Sequence, residues 1–249
     1  MSVVTRLSLW SFKCDYSCSV SQDKYQEIQN IATGEIPVSS SEKAIVSAFH
    51  SLYYTNENQT WEDSKWMGVN VQKCPLDLFI YQEIIFDTKP DLIIETGTYL
   101  GGSALFLAHI CDLLGKGEVV TVDTLERPGQ PEHPRITYIR DMSTSPAVVE
   151  YLEDKSSGLE SVLLILDSEH SRDNVYKELN LLSRFVTLHN YLIVEDTNVN
   201  GNPVLSDFGP GPHEAVQEFL TDNDSFVVDF TKEKYYMTFN PGGYLKRIK

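Results

Sequence analysis

The chain has 249 residues, 41% of them hydrophobic and 11% aromatic, which is enough to bury one large core. Its formal charge of −16 excludes the basic face that a nucleic-acid backbone requires. No run of about 18 apolar residues is present. The first residues carry Arg6, Lys13 and Asp15 instead of a signal-peptide core, and Cys14, Cys18, Cys74 and Cys111 form no CxxC pair. A cytoplasmic protein with free thiols and no membrane segment is expected.

Residues 1–70 differ in texture from the rest and read as an N-terminal helical cap on a main domain spanning 71–249. One helix is predicted near 21–32. A second follows Ser39, which has capping-box spacing to Glu42. Ala44, Ile45, Ala48, Phe49 and Leu52 then repeat at helical intervals. The loop after it carries Tyr53, Tyr54, Trp61, Trp66 and Met67. These residues either floor a substrate pocket or pack the cap on the main domain.

From Pro75 the rhythm becomes β/α. A helix over 75–87 opens on that proline and breaks at Lys89-Pro90. Short apolar runs then read as buried parallel strands: 92–94, 119–122, 136–139, 162–166 and 191–194. Helices are predicted between them, including 103–114 and 172–184, the latter with Val175, Leu179 and Leu182 on one face. The stretch from Phe226 to Ile248 has strand-like runs and a turn at Asn240-Pro241-Gly242-Gly243, the pattern of an antiparallel hairpin at the sheet edge. The fold class is therefore α/β, with a mostly parallel sheet carrying helices on both faces.

Ligands of such sheets bind beyond the carboxyl ends of the strands, and here every such end carries an acid. The first strand runs into Glu95-Thr96-Gly97-Thr98-Tyr99-Leu100-Gly101-Gly102-Ser103. Its glycines permit a sharp turn and close approach of a ligand. Glu95 would repel a pyrophosphate but suits an ammonium, which argues against a GxGxxG dinucleotide site. Asp123, ending the second strand, suits the hydroxyls of a ribose. Asp167 ends the fourth strand and Glu195-Asp196 the fifth. If those strands are neighbours, three carboxylates crowd together and require a cation, and all-oxygen ligation favours magnesium or manganese over zinc. His170, three residues after Asp167, stands near the same mouth with a pKa suited to proton removal. The turn-rich loop from Asn198 to Pro212 has the length of a lid. His189 and Asn190 read as structural, and His50, His109, His133 and His213 have no partner legible in sequence.

Taken together, Lys89-Pro90-Asp91 through Glu95-Thr96-Gly97-Thr98, Gly101-Gly102-Ser103, Leu166-Asp167-Ser168-Glu169-His170, Val194-Glu195-Asp196-Thr197 and Gly209-Pro210-Gly211-Pro212 resemble one family. It is the cephalosporin-hydroxylase-named family that includes rhamnosyl O-methyltransferases. It is similar to the macrocin- and mycinamicin-type sugar methyltransferases. The resemblance covers roughly residues 61–248. It implies a class I fold for S-adenosylmethionine (SAM), with seven strands and the last one antiparallel. It implies magnesium on Asp167, Glu195 and Asp196, and His170 as general base. It implies SAM contacts from the 95–103 turn, including Glu95, Thr96, Gly97, Thr98, Tyr99, Gly101 and Ser103, and from Asp123, Ser143 and Asp167. In catechol O-methyltransferases the second and third metal ligands are usually aspartate and asparagine, where this chain has Glu195 and Asp196. The hydroxylase in the family name is not carried over, because no two-histidine, one-carboxylate iron set is visible. The expected activity is O-methylation of a small hydroxylated molecule in natural-product chemistry, by a homo-oligomer. The alternatives are a nicotinamide-dependent oxidoreductase and a non-catalytic partner that kept the fold.

Overall fold

The computed structural model describes residues 38–249; the helix expected at 21–32, with Cys14 and Cys18, lies outside them. Helix α1 (Ser40–Thr55) begins at the predicted capping box. The Ser39 side chain accepts from the Glu42 amide, and Glu42 accepts from the Ser39 amide at 2.8 Å. The face it buries is not its aliphatic one. Ile45, Phe49 and Leu52 are exposed, whereas His50 and Tyr54 are buried. Aromatic stacking decides the docking: His50 lies on Phe239 with centroids 5.7 Å apart, and Tyr54 lies on Trp61 at 5.0 Å.

A short antiparallel ribbon, β1 (Lys65–Trp66) with β2 (Val69–Asn70), leads to α2 (Pro75–Thr88). Trp66 packs edge-on against Phe106 at 4.9 Å, and Met67 is exposed. The main sheet follows in chain order. It comprises β3 (Leu92–Thr96), β4 (Glu118–Asp123), β5 (Ile136–Arg140), β6 (Val162–Leu166), β7 (Tyr191–Val194), β8 (Phe226–Val228) and β9 (Tyr244–Arg247). Their spatial order is β5-β4-β3-β6-β7-β9-β8. All neighbours pair in parallel except β9, which runs antiparallel to both β7 and β8. The last strand thus slots between β7 and the edge strand β8.

Alternation along each strand divides the core in two. Ile93, Val119, Leu163, Ile165 and Ile193 meet α2 and α3 (Gly102–Leu114) on one face. Leu92, Ile94, Val120, Leu164, Leu192 and Leu245 meet α4 (Pro146–Ser156), α5 (Arg172–Leu182) and α6 (Pro212–Asp222) on the other. Helix α6 was not among the predicted segments. It starts on Pro212 and turns Ala215, Val216 and Phe219 inward. A third cluster, with Tyr54, Val199, Val204, Met237 and Phe239 among its members, fastens α1 to the sheet's carboxyl edge. Cys74 and Cys111 are buried free thiols.

Candidate active site

Three strand ends converge by register. Thr96 pairs with Leu166, and Leu166 with Val194, so the residues just beyond, Gly97, Asp167 and Glu195, stand side by side. The condition placed on the fourth and fifth predicted strands is met, since β6 and β7 are neighbours. Gly97 adopts φ +88°, and a Cβ there would overlap the Asp167 carbonyl, so only glycine lets the β3 turn pass this close to β6.

Beyond these ends lies a cavity of about 850 Å³. Gly97, Thr98, Tyr99 and Ser103 form the wall contributed by the glycine-rich turn. Asp123, Ser143, Asp167, His170 and Asp196 come from the other strand ends. Asp123 is held rigidly, accepting from the Tyr99 and Leu125 amides at 2.9 Å each. The Arg127 guanidinium covers the Tyr99 ring at 4.7 Å. Of the N-terminal aromatics, Tyr54 and Trp61 line the cavity and also stack on each other in the packing of α1.

Four of the sequence candidates lie elsewhere. Gly101, at φ +78°, shapes the turn before α3. Thr96 is fully buried. Glu95 is also fully buried behind the wall, where Oε2 accepts from Thr121 at 2.7 Å and Oε1 has no hydrogen-bond partner among the described residues. Burial pushes its pKa up against the opposing pull of Lys73. Glu195 turns away from the cavity to face Lys73.

Lys73 was not found from the sequence. Only 3% exposed, it pairs with Asp167 and stands 2.7 Å from Glu195 Oε1. Burial alone would strip its proton, but Asp167, Glu195 and Glu95 outweigh that and raise its pKa, so the ammonium stays charged. The contact with Glu195 lies off hydrogen-bonding geometry, and Oε1 lacks a directed donor among the described residues. Burial, then the Asp167 charge, push Glu195 upward.

Asp196 faces the other way, into the cavity. Its φ of +53° and a hydrogen bond from its backbone N–H to Asn240 Oδ1 at 3.2 Å fix the turn, and Asn240 is anchored by donating to the Tyr81 hydroxyl at 2.8 Å. His170 Nε2 lies 3.1 Å from Asp196 Oδ2 and 3.9 Å from Asp167 Oδ1. One ligand atom each from Asp167, His170 and Asp196 lies within 4.8 Å of the other two. Burial raises the Asp196 pKa, with His170 opposing.

A family model described as rhamnosyl O-methyltransferase/CmcI matches residues 58–248. The chain belongs to this family. Rhamnosyl O-methyltransferase of Mycobacterium tuberculosis (strain H37Rv) is 36% identical over 214 residues, covering 82% of this chain and 85% of the relative. The Mycobacterium leprae relative of the same name is 37% identical over 212 residues, covering 82% and 91%. Among solved structures, a CmcI apo form superposes with TM-score 0.59 at 18% identity, covering 76% of this chain and 77% of that one. A CmcI form named for magnesium and SAM gives 0.58 at 19%, covering 76% and 78%. These likenesses establish the class I methyltransferase fold, and family membership sets the oxidoreductase alternative aside.

Proposed function

We propose that the chain is a SAM- and magnesium-dependent O-methyltransferase acting on a sugar hydroxyl, rhamnosyl in type. The observation that carries this reading is the convergence of Asp167, His170 and Asp196 at the mouth of a cavity large enough for a nucleoside cofactor and a substrate.

The residues fit both groups. Hard carboxylate oxygens suit magnesium, and Glu195 Oε1 is a buried acceptor without a directed donor. We assign the ion to Asp167 and Asp196, which face the cavity, with Glu195, the third expected ligand, standing behind them against Lys73. The close turn at Gly97 and the fixed carboxylate of Asp123 suit a methionine moiety and a ribose, with Tyr99, Ser103 and Ser143 along the wall. Glu95 acts through its charge from behind that wall, Thr96 and Gly101 by holding the turn, and Thr98 at the wall itself.

When bound, SAM supplies an electrophilic methyl on a sulfonium, and magnesium a Lewis acid that lowers a hydroxyl's pKa. His170, whose ring is oriented by Asp196 Oδ2 at 3.1 Å, takes the hydroxyl proton. Transfer of that methyl to the deprotonated oxygen would leave a methyl ether and S-adenosylhomocysteine (SAH). Tyr54 and Trp61 hold the sugar against the mouth through stacking and exclude water. Residues 1–70 thus serve as the substrate-side segment, and 71–249 as the catalytic domain. A homo-oligomer remains part of this reading.

The test is calorimetric titration of SAH, then of magnesium with SAH present, on wild type and Asp167→Ala. Expected are SAH binding and a magnesium site that the variant loses, together with loss of metal-dependent methylation. SAH binding with no magnesium site would break the metal assignment. Absence of SAH binding would return the fold to a non-catalytic role.

A further inference from the structure

Glu178 lies in the middle of α5 with no solvent exposure, and no step described above uses it. Its Oε1 accepts from Ser143 Oγ at 2.5 Å and from Ser168 Oγ at 2.8 Å. Burial pushes the Glu178 pKa up, and the Ser143, Ser168 and Thr96 hydroxyls gathered on the carboxylate oppose it. One buried acid therefore gathers the end of β3, the loop after β5 and the loop after β6.

The directions of these hydrogen bonds are fixed. A serine hydroxyl has one proton and two lone pairs. Asn174 Nδ2 donates to Ser168 Oγ at 3.1 Å, with its amide held by a second bond to the Glu169 carbonyl at 3.0 Å. The Ser168 proton must then point at Glu178. The Ser143 proton is committed to the same oxygen, which can only accept. Both serines line the cavity, so what they offer a ligand is lone pairs. Their neighbour on that wall, Asp141, is likewise an acceptor, fixed by the Met142 amide at 2.7 Å and the Ser145 hydroxyl at 2.8 Å.

Asp123 marks the ribose position in the reading above, and the β5 loop stands next to it in the sheet order. A base carried by that ribose therefore meets a wall of acceptors. We propose that Glu178 is a positioning residue that fixes the Ser143 and Ser168 hydroxyls as acceptors, so that the site selects a 6-aminopurine over a 6-oxopurine. This inference rests on the SAM reading. An amino group donates to Ser143, whereas an oxo group sets acceptor against acceptor and leaves buried polar atoms unpaired.

The experiment titrates SAH and its deaminated analogue, S-inosylhomocysteine, calorimetrically into wild type, Glu178→Ala, Glu178→Gln and Ser143→Ala. Wild type should prefer SAH by about tenfold or more. Glu178→Gln should keep that preference, because its amide oxygen still accepts from both serines. Glu178→Ala frees the hydroxyls to rotate and should narrow the ratio to below about threefold while SAH still binds. Ser143→Ala, which leaves the buried acid in place, should narrow it as well and carries the test should Glu178→Ala fail to fold. An unchanged ratio in either alanine variant, equal binding of both nucleosides by wild type, or a Gln variant as unselective as the Ala variant overturns the proposal. Wild type binding neither nucleoside sinks the cofactor reading itself, and this inference with it.

Discussion

Lys73 Nζ stands 2.7 Å from Glu195 Oε1, so a lysine delivered by the segment between β2 and α2 is locked among acids delivered by β6 and β7. Removing one member of a buried ion pair costs about 3–5 kcal/mol, because the other charge stays behind unpaired. Lys73→Met should lower unfolding stability by that amount in urea titrations. Adding Glu195→Gln should recover part of it, because the orphaned charge goes too. A Lys73→Met protein as stable as wild type would contradict this account of the cluster.

Gly97→Ala places a methyl group where the Asp167 carbonyl lies, at a backbone angle of φ +88° that costs an L-residue about 1–2 kcal/mol even in open space. The turn and β6 must then separate. The expected result is at least tenfold weaker SAH binding and a weaker magnesium site, both read by calorimetry. Retention of both affinities would mean the turn is not held against Asp167.

His170→Ala should lower methyl transfer by about 10²–10⁴-fold, the usual worth of a positioned general base. SAH affinity should stay within about threefold. Magnesium affinity is the deciding readout, because the ring nitrogen sits only 3.1 Å from Asp196. An unchanged magnesium affinity keeps His170 as the base, whereas a tenfold drop would make it a ligand.

His50 predicts a pH dependence of stability. Burial lowers its pKa to about 4, and Asn198 Nδ2 faces its Nε2 at 3.0 Å, a geometry that only the neutral ring can accept. In the unfolded chain the ring titrates near 6.5. Between those values the unfolded state binds a proton that the folded state refuses, so stability falls as pH drops from 6.5 towards 4. The loss amounts to about 3 kcal/mol over the window. His50→Gln should flatten this component in urea midpoints measured across that range, and an identical slope in the variant would count against it.

Strand and acid positions were legible because both follow from local pattern: apolar runs ending in Glu95, Asp123, Asp167 and Glu195 read the same in sequence and in space. Lys73 was not legible. Nothing around Val71-Gln72-Lys73-Cys74 distinguishes it from a solvated loop lysine, and its partner Asp167 is 94 positions away. Glu178 was hidden for a similar reason. The Val175, Leu179 and Leu182 face of α5 was predicted correctly, but a glutamate beside it reads as surface until three hydroxyls from distant strand ends are brought onto it. Asp167, Glu195 and Asp196 were expected to crowd together and do gather at the ends of β6 and β7, with consecutive residues leaving a strand pointing to opposite sides. Glu195 therefore went inward to Lys73 and Asp196 outward to His170. The exposed aliphatic stripe of α1 shows the limit of periodicity: it identified the helix, but aromatic partners on Phe239 and Trp61 chose the buried side.

A Cβ on Gly102 would overlap the Asn70 carbonyl, so the ribbon bearing β2 rests directly on the first turn of α3. The segment that carries Trp61 and the helix that follows the glycine-rich turn are keyed to each other by a missing methyl group. Transplanting this ribbon onto a relative lacking the matching glycine would pry the two apart. New acceptor specificities in this lineage should therefore arise by point changes at Tyr54 and Trp61 and not by wholesale exchange of the segment.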